Sequence, residues 1–339
     1  MSRRTLIVSV LAVGLTAWFL RGANLGGVWD QVRQVRLELL AGSFLAVVAC
    51  FWARAIRWKY LLSPLGNPQF RTVFRTTVIG FGVLGLLPVR IGDVVRPYLL
   101  ARQEQLSVSS ALATIVMERV LDLVAVLALL AVYAWGFGGV DAVPHRLLRP
   151  IEISAGIAAT VAVALLAVMW VLATHPERVG TIAASVTGIL PGRLSHRVGR
   201  LAHTFSSGFA ATRDMRKLLL AVIWSFLVWL AIAAQAWMVT IAFGIAMPYT
   251  GTFLLQTLLV LGVAVPTPGG VGSFHEAYRI GVTTFFGASE DRAIAAAIVT
   301  HLISYIPPVV VGLVFMAQDG LSLGGLKVLA GSVREQEGA

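Results

Sequence analysis

Apolar positions in this chain come in long unbroken blocks, not in the three-and-four spacing of a half-buried helix. Leu218 to Phe243 is a run of 26 residues without Asp, Glu, Lys or Arg, and Ala293 to Ala317 is another of 25. About 20 such residues cross a bilayer as a helix, the form that satisfies its own backbone hydrogen bonds in hydrocarbon. The pattern predicts spanning helices at roughly 5–22, 37–55, 108–135, 151–173, 217–243 and 292–317. Two further apolar stretches do not fit. Residues 76–89 hold only 14 uncharged positions, and Tyr249 to Val265 runs straight into a knot of Pro and Gly.

Charge gives these segments sides. Basic residues fall densely at 54–75 (Arg54, Arg57, Lys59, Arg71, Arg75) and at 174–217 (Arg178, Arg193, Arg197, Arg200, Arg213, Arg216, Lys217). They thin out at 21–36 and 136–150 and are absent from 244–249. The positive-inside rule therefore places the first two segments in the cytoplasm and the other three outside. Both termini are then expected in the cytoplasm of a bacterial cell (inner) membrane. The segment 73–106 must start and end inside, and 248–287 must start and end outside. Each is expected to dip into the membrane and return.

The two dips read alike. The first is L-L-P-V-R-I-G-D-V-V-R, followed by a span carrying M-E-R-V-L-D; the second is V-P-T-P-G-G-V-G-S-F-H-E-A-Y-R, followed by a span carrying T-H-L-I-S-Y. An apolar half-helix, a Pro, a Gly, an acid and an Arg recur in order, pointing in opposite directions. The expected fold is an all-α polytopic membrane protein, a single membrane domain over 1–339. About six spanning helices and two re-entrant hairpins form an inverted-topology repeat, a layout shared by many transporters. The first repeat covers 37–135 and the second 217–317; between them, 136–216 holds a connecting span and a cytoplasmic amphipathic segment. In that segment Leu194, Val198, Leu201, Phe205 and Phe209 share one face, as in a helix lying on a leaflet.

The whole chain is 58% hydrophobic and 13% charged, with a formal net charge of +11. The basic excess flanks apolar runs and does not decorate a soluble face, which argues against nucleic acid. Cys50 is the single cysteine, so neither a disulfide within the chain nor a cysteine metal set can form. The N-terminal M-S-R-R-T-L-I-V-S-V-L is read as a retained first span, since no small-x-small cleavage site follows it.

Candidate chemistry sits at the breaks. Pro88, Pro266 and Pro268 remove backbone donors and end helices. Gly92, Gly269, Gly270 and Gly272 allow tight turns or close approach. Arg90, Arg96, Arg119 and Arg279 offer guanidinium forks that suit phosphate. Asp93, Glu118, Asp122 and Glu276 supply the carboxylates that would balance them, so the same arginines are equally explained as partners holding the hairpins. Glu118 and Asp122 are four apart and share a helix face partway along an apolar span, where a charge costs at least ~2.5 kcal/mol. His301 and Tyr305 stand at the matching place in the second half. His275-Glu276 lacks the second histidine a zinc site needs. No cofactor, no metal and no catalytic residue is expected.

The pieces L-L-P-V-R-I-G-D-V-V-R, M-E-R-V-L-D and P-T-P-G-G-V-G-S-F-H-E resemble the lysylphosphatidylglycerol synthase transmembrane-region family, the flippase-like domain. The resemblance covers about 5–320. Where the family usually carries Gly-Glu, this chain has Gly92-Asp93, which keeps the carboxylate and shortens it. The soluble aminoacyl-transferase domain of the synthases is not matched, with about 22 residues following residue 317. The resemblance implies transfer of an anionic phospholipid or related lipid between leaflets, with membrane lipids as partners and no enzymatic activity. A small-solute or ion transporter of the same architecture and a non-transporting membrane scaffold are the alternatives, and a homo-oligomer is compatible with all three.

Overall fold

The computed structural model describes residues 13–21, 25–86, 91–137, 149, 153–154, 156–165, 167, 214–265 and 267–322. All regular structure there is helical. After a helical stretch at 13–20 come α1 (Leu25–Arg33), α2 (Leu37–Leu62), α3 (Phe70–Leu86), α4 (Gly92–Gln103) and α5 (Val108–Val132), the last continued by a π turn (Tyr133–Phe137). A helical stretch lies at Gly156–Leu165, and beyond it come α6 (Met215–Ala242), α7 (Gly251–Ala264), a 3-10 turn (Pro268–Gly270), α8 (Ser273–Phe286) and α9 (Glu290–Gln318). Three of these helices, α2, α6 and α9, are long and apolar enough to cross a membrane. The chain is a helical membrane protein.

Local chemistry sets the ends. Ser107 accepts a hydrogen bond from the Ser110 amide at the start of α5, and Asp214 accepts from the amides of Arg216 and Lys217 at the start of α6. The α7 helix stops at Ala264, two residues before Pro266. The α9 helix, by contrast, runs on through Pro307 and Pro308.

Helices α2 and α6 make the most extensive contact. They are antiparallel: Gly42 lies against the Met238 sulfur near one end, and Arg57 reaches Ser225 towards the other. The remaining contacts fall into two sets. In one, α3 packs on α4 and α4 on α5; in the other, α7 packs on α8 and α8 on α9. Across the sets, α3 lies on α9 and α5 on α7. Lipid-facing helices gain little from hydrophobic burial against each other, so close packing through small residues takes its place. Gly80 and Gly92 let α3 and α4 approach until a Cβ on Gly92 would collide with the Gly80 carbonyl. Gly82 faces the Pro308 carbonyl and Gly312 on α9.

The two helix pairs occupy opposite halves of α9. At its C-terminal end, Arg75 of α3 donates to Gln318 and Asp319. Ten residues further along α3, Gly85 faces Tyr305 and Val309. At its N-terminal end, Arg279 of α8 grips Glu290, and the turn before α8 returns to α9 at His301. Gly269 in that turn stands so close to α3 that an added Cβ would sit 2.8 Å from the Gly85 carbonyl oxygen. The C-terminal end of α3 and the turn before α8 therefore lie beside the middle of α9, and they touch there.

One boundary differs from the sequence reading. Helix α2 continues seven residues past 55, so Arg54, Arg57 and Lys59 lie in the helix and not in a loop. An apolar run ending in W-A-R-A-I-R-W-K looks like a span with a basic flank. Acids on another helix allow the arginines to continue inside.

Candidate functional site

A network of ionic side chains is buried where α2, α4 and α5 meet α6. Glu118 Oε1 lies 2.9 Å from Arg96 Nη1, 3.1 Å from Arg57 Nη2 and 3.5 Å from Arg119 Nη2. Asp122, one turn on, accepts from Arg57 Nη1 at 2.5 Å and from the Trp229 indole at 3.0 Å. Arg119 spans the edge of the network, donating to Asp93 at 3.0 Å and to Asp122 at 3.3 Å. Arg57 and Glu118 are wholly buried, and Arg96 and Asp122 nearly so.

Aromatic groups shape the network. The Arg96 guanidinium lies over the Trp58 ring, 3.7 Å from its centroid, and Trp58 is itself held by donation to Thr114 at 2.9 Å. Arg54 stacks over Phe81 at 4.6 Å. Among the described residues, ion pairs join Arg57, Arg96 and Arg119 to Asp93, Glu118 and Asp122, and Arg54 adds a fourth cation nearby with no ion pair of its own, one cation in excess. Several donors have no hydrogen-bond acceptor among the described residues: Arg54 Nη1, Arg57 Nε, Arg96 Nε and Nη2, and Arg119 Nε. Glu118 Oε2 is also unpartnered. Buried groups left this way are costly and uncommon.

The second half builds a different site from neutral groups. The His275 and His301 rings lie 4.6 Å apart, and Tyr305 stacks on His301 at 4.3 Å. His301 Nε2 meets the Gly269 carbonyl at 2.8 Å. The Gly272 amide donates to His275 Nδ1 at 3.2 Å, the reach-back half of a capping arrangement. Gly269 and Gly272 hold φ of +59° and +85°, which only glycine adopts without strain. Phe19 of the N-terminal helical stretch covers His275, with ring centroids 5.1 Å apart, and Trp18 donates to Glu276. Glu276 pairs with Arg279 at 2.6 Å, and Arg279 with Glu290 at 2.8 Å, in a string leading outward along α8.

Most of the expected site residues thus assemble, in two groups. Gly92, Asp93, Arg96, Glu118, Arg119 and Asp122 form the first; Pro268, Gly269, Gly270, Gly272, His301 and Tyr305 form the second. Glu276 and Arg279 stand to one side of the second, saturated by each other and by Glu290. Pro88, Arg90 and Pro266 lie outside the described residues, as do 151–152 and the amphipathic segment up to residue 213. Arg57, Arg54, Trp58, Ser225 and Trp229 were missed by the sequence reading. The available signal was the three-residue spacing of Arg54 and Arg57 beside two tryptophans, which sets both arginines towards one face. No group of three His, Cys, Asp or Glu side chains among the described residues is placed to hold a metal.

Comparison with known proteins bears on the whole chain. Residues 5–312 match the family described as lysylphosphatidylglycerol synthase TM region. A UPF0104 membrane protein of Methanothermobacter thermautotrophicus is 24% identical over 92% of this chain and 93% of its own length. A second UPF0104 membrane protein of that organism is 26% identical over 69% of this chain and 71% of its own. Glycosyltransferase AglD of Haloferax volcanii is 24% identical over 98% of this chain, which spans 56% of that longer protein.

Proposed function

Because the chain belongs to the lysylphosphatidylglycerol synthase TM region family, we propose that it is a lipid flippase-like transporter, moving an anionic phospholipid or related lipid between leaflets. The carrying observation is the meeting of Gly85 and Gly269 beside the middle of α9, with the arginine network just below on α4 and α5. In this reading α3–α4 and α7–α8 are re-entrant hairpins entering from opposite faces, and 37–135 and 217–317 form an inverted repeat. The contacts support it: exchanging α2–α5 for α6–α9 turns each helix partnership into another that is present. Irregular backbone at that depth is stable only when packed in protein or lining a water-filled path.

With Arg54, Arg57 and Lys59 inside α2, the charge bias of the 54–75 segment shrinks. Orientation then rests on the seven basic residues of 174–217, which put the α3–α4 hairpin on the cytoplasmic side. The network holds its guanidiniums ready for a head group, while acyl or isoprenoid tails stay in lipid. Rocking of one half against the other alternates access. No catalysis is assigned to the chain. The family description names a phospholipid, which agrees with a phosphate-bearing guest.

The test is leaflet transfer of head-group-labelled phosphatidylglycerol in vesicles carrying the purified protein. Wild type is expected to speed transfer over protein-free vesicles, and Arg96→Ala and Glu118→Gln are expected to abolish the gain. Wild-type rates in both variants would exclude this function.

A further inference from the structure

A single oxygen of Glu118 is the focal point of three guanidiniums from three chain segments: Arg57 on α2, Arg96 on α4 and Arg119 on its own helix. Its other oxygen has no partner among the described residues. Arg96 uses Nη1 on Glu118 and leaves Nε and Nη2, the side-on edge of the fork, buried and unpartnered. That edge matches two oxygens of a phosphate or carboxylate. One carboxylate thus occupies a shell that has more donors than it can use. A tetrahedral oxyanion with one oxygen at the Glu118 Oε1 position would meet the same three cations and place further oxygens against the vacant edge. The Trp58 ring under Arg96, tied to Thr114, keeps the fork from turning away.

We infer that Glu118 is the resident occupant of an oxyanion site, exchanged during transport for the monoanionic phosphodiester of a lipid while its own carboxylate takes up a proton. The inference rests on the lipid-transfer function proposed above. The exchange balances. One phosphodiester anion enters the guanidinium shell, the Glu118 carboxylate leaves it, and a proton from water goes to the released carboxylate oxygen. The network's net charge is unchanged by the exchange, so no further unpaired charge is buried, which at this depth would be strongly unfavourable. Among the described residues, the charged and titratable groups facing Glu118 are Arg54 and Arg57 from α2, Asp93 and Arg96 from α4, and Arg119 and Asp122 from α5. Helix α6 contributes the neutral Ser225 and Trp229.

The experiment uses the full chain in maltoside micelles, free of phospholipid, titrated with short-chain phosphatidylglycerol in weakly buffered solution containing a pH dye. Wild type is expected to take up one proton per lipid bound, and its affinity to fall about tenfold per pH unit as pH rises. Glu118→Gln should bind at least as tightly, with no proton uptake and no pH dependence. Arg96→Lys keeps the charge but loses the fork, so it should bind about tenfold more weakly with uptake intact. Binding by wild type without proton uptake overturns the exchange, whether or not the variants fold. Equal binding and uptake with inorganic phosphate alone overturns the assignment to a lipid. Leaflet transfer without proton-linked binding would leave the proposed function standing and remove the exchange. Proton-linked binding without leaflet transfer would do the reverse.

Discussion

The two hairpins have the same outline and opposite interiors. Beneath the first, six charged side chains interlock across α2, α4 and α5, most of them out of reach of solvent. Around the second, the buried polar groups are His275, His301, Thr267, Ser273 and Thr240, with Tyr278 bonded to Thr240 at 2.6 Å. Its charges, Glu276, Arg279 and Glu290, run along the rim. One scaffold thus closes around a neutral set as readily as around an ionic one. The fold does not require the ions, and replacing a buried ion network by apolar groups is often neutral or stabilising. Their presence under the first hairpin fits the head-group binding proposed for that half.

The contrast can be broken by substitution. Arg57→Ala should have the largest effect, leaving Asp122 and Glu118 buried without their shared cation, and should lower stability by about 3–5 kcal/mol in thermal unfolding in micelles. A loss no greater than that of a rim substitution would mean that the network is more solvated than it looks. Gly269→Ala comes next. It forces a side chain into a left-handed backbone and against the Gly85 carbonyl, at about 1–3 kcal/mol, and should slow lipid transfer more than it lowers the melting point. Tyr278→Phe probes the neutral interior and should cost about 1 kcal/mol through the lost Thr240 bond. Glu276→Gln should change stability by less than about 1 kcal/mol, as partly exposed pairs do, and that small loss should fade further in high salt.

Much of this architecture was legible in the chain. Long uncharged runs announce α2, α6 and α9, and the paired Pro/Gly interruptions announce the turns between α3 and α4 and between α7 and α8. Glu118 and Asp122 stand out because a charge inside an apolar run needs a reason. Arg57 does not stand out, because a basic residue at the end of an apolar run has two ordinary explanations. It can reach the head groups or turn inward to a carboxylate 61 or 65 residues away, and nothing local tells these apart. The same ambiguity inflated the basic count assigned to the 54–75 segment. The hydrogen bonds of the second site, such as that from His301 to the Gly269 carbonyl, could not be foreseen because backbone groups carry no sequence signal.

The encounter of Gly85 with Gly269 has a mechanical consequence. Neither residue carries a side chain, so at this point backbone meets backbone, without teeth. Surfaces of that kind separate by simple sliding, with no rotamer to unlock and no methyl group to climb over. In the transport cycle proposed above, this contact would be the place where the two halves part with least friction.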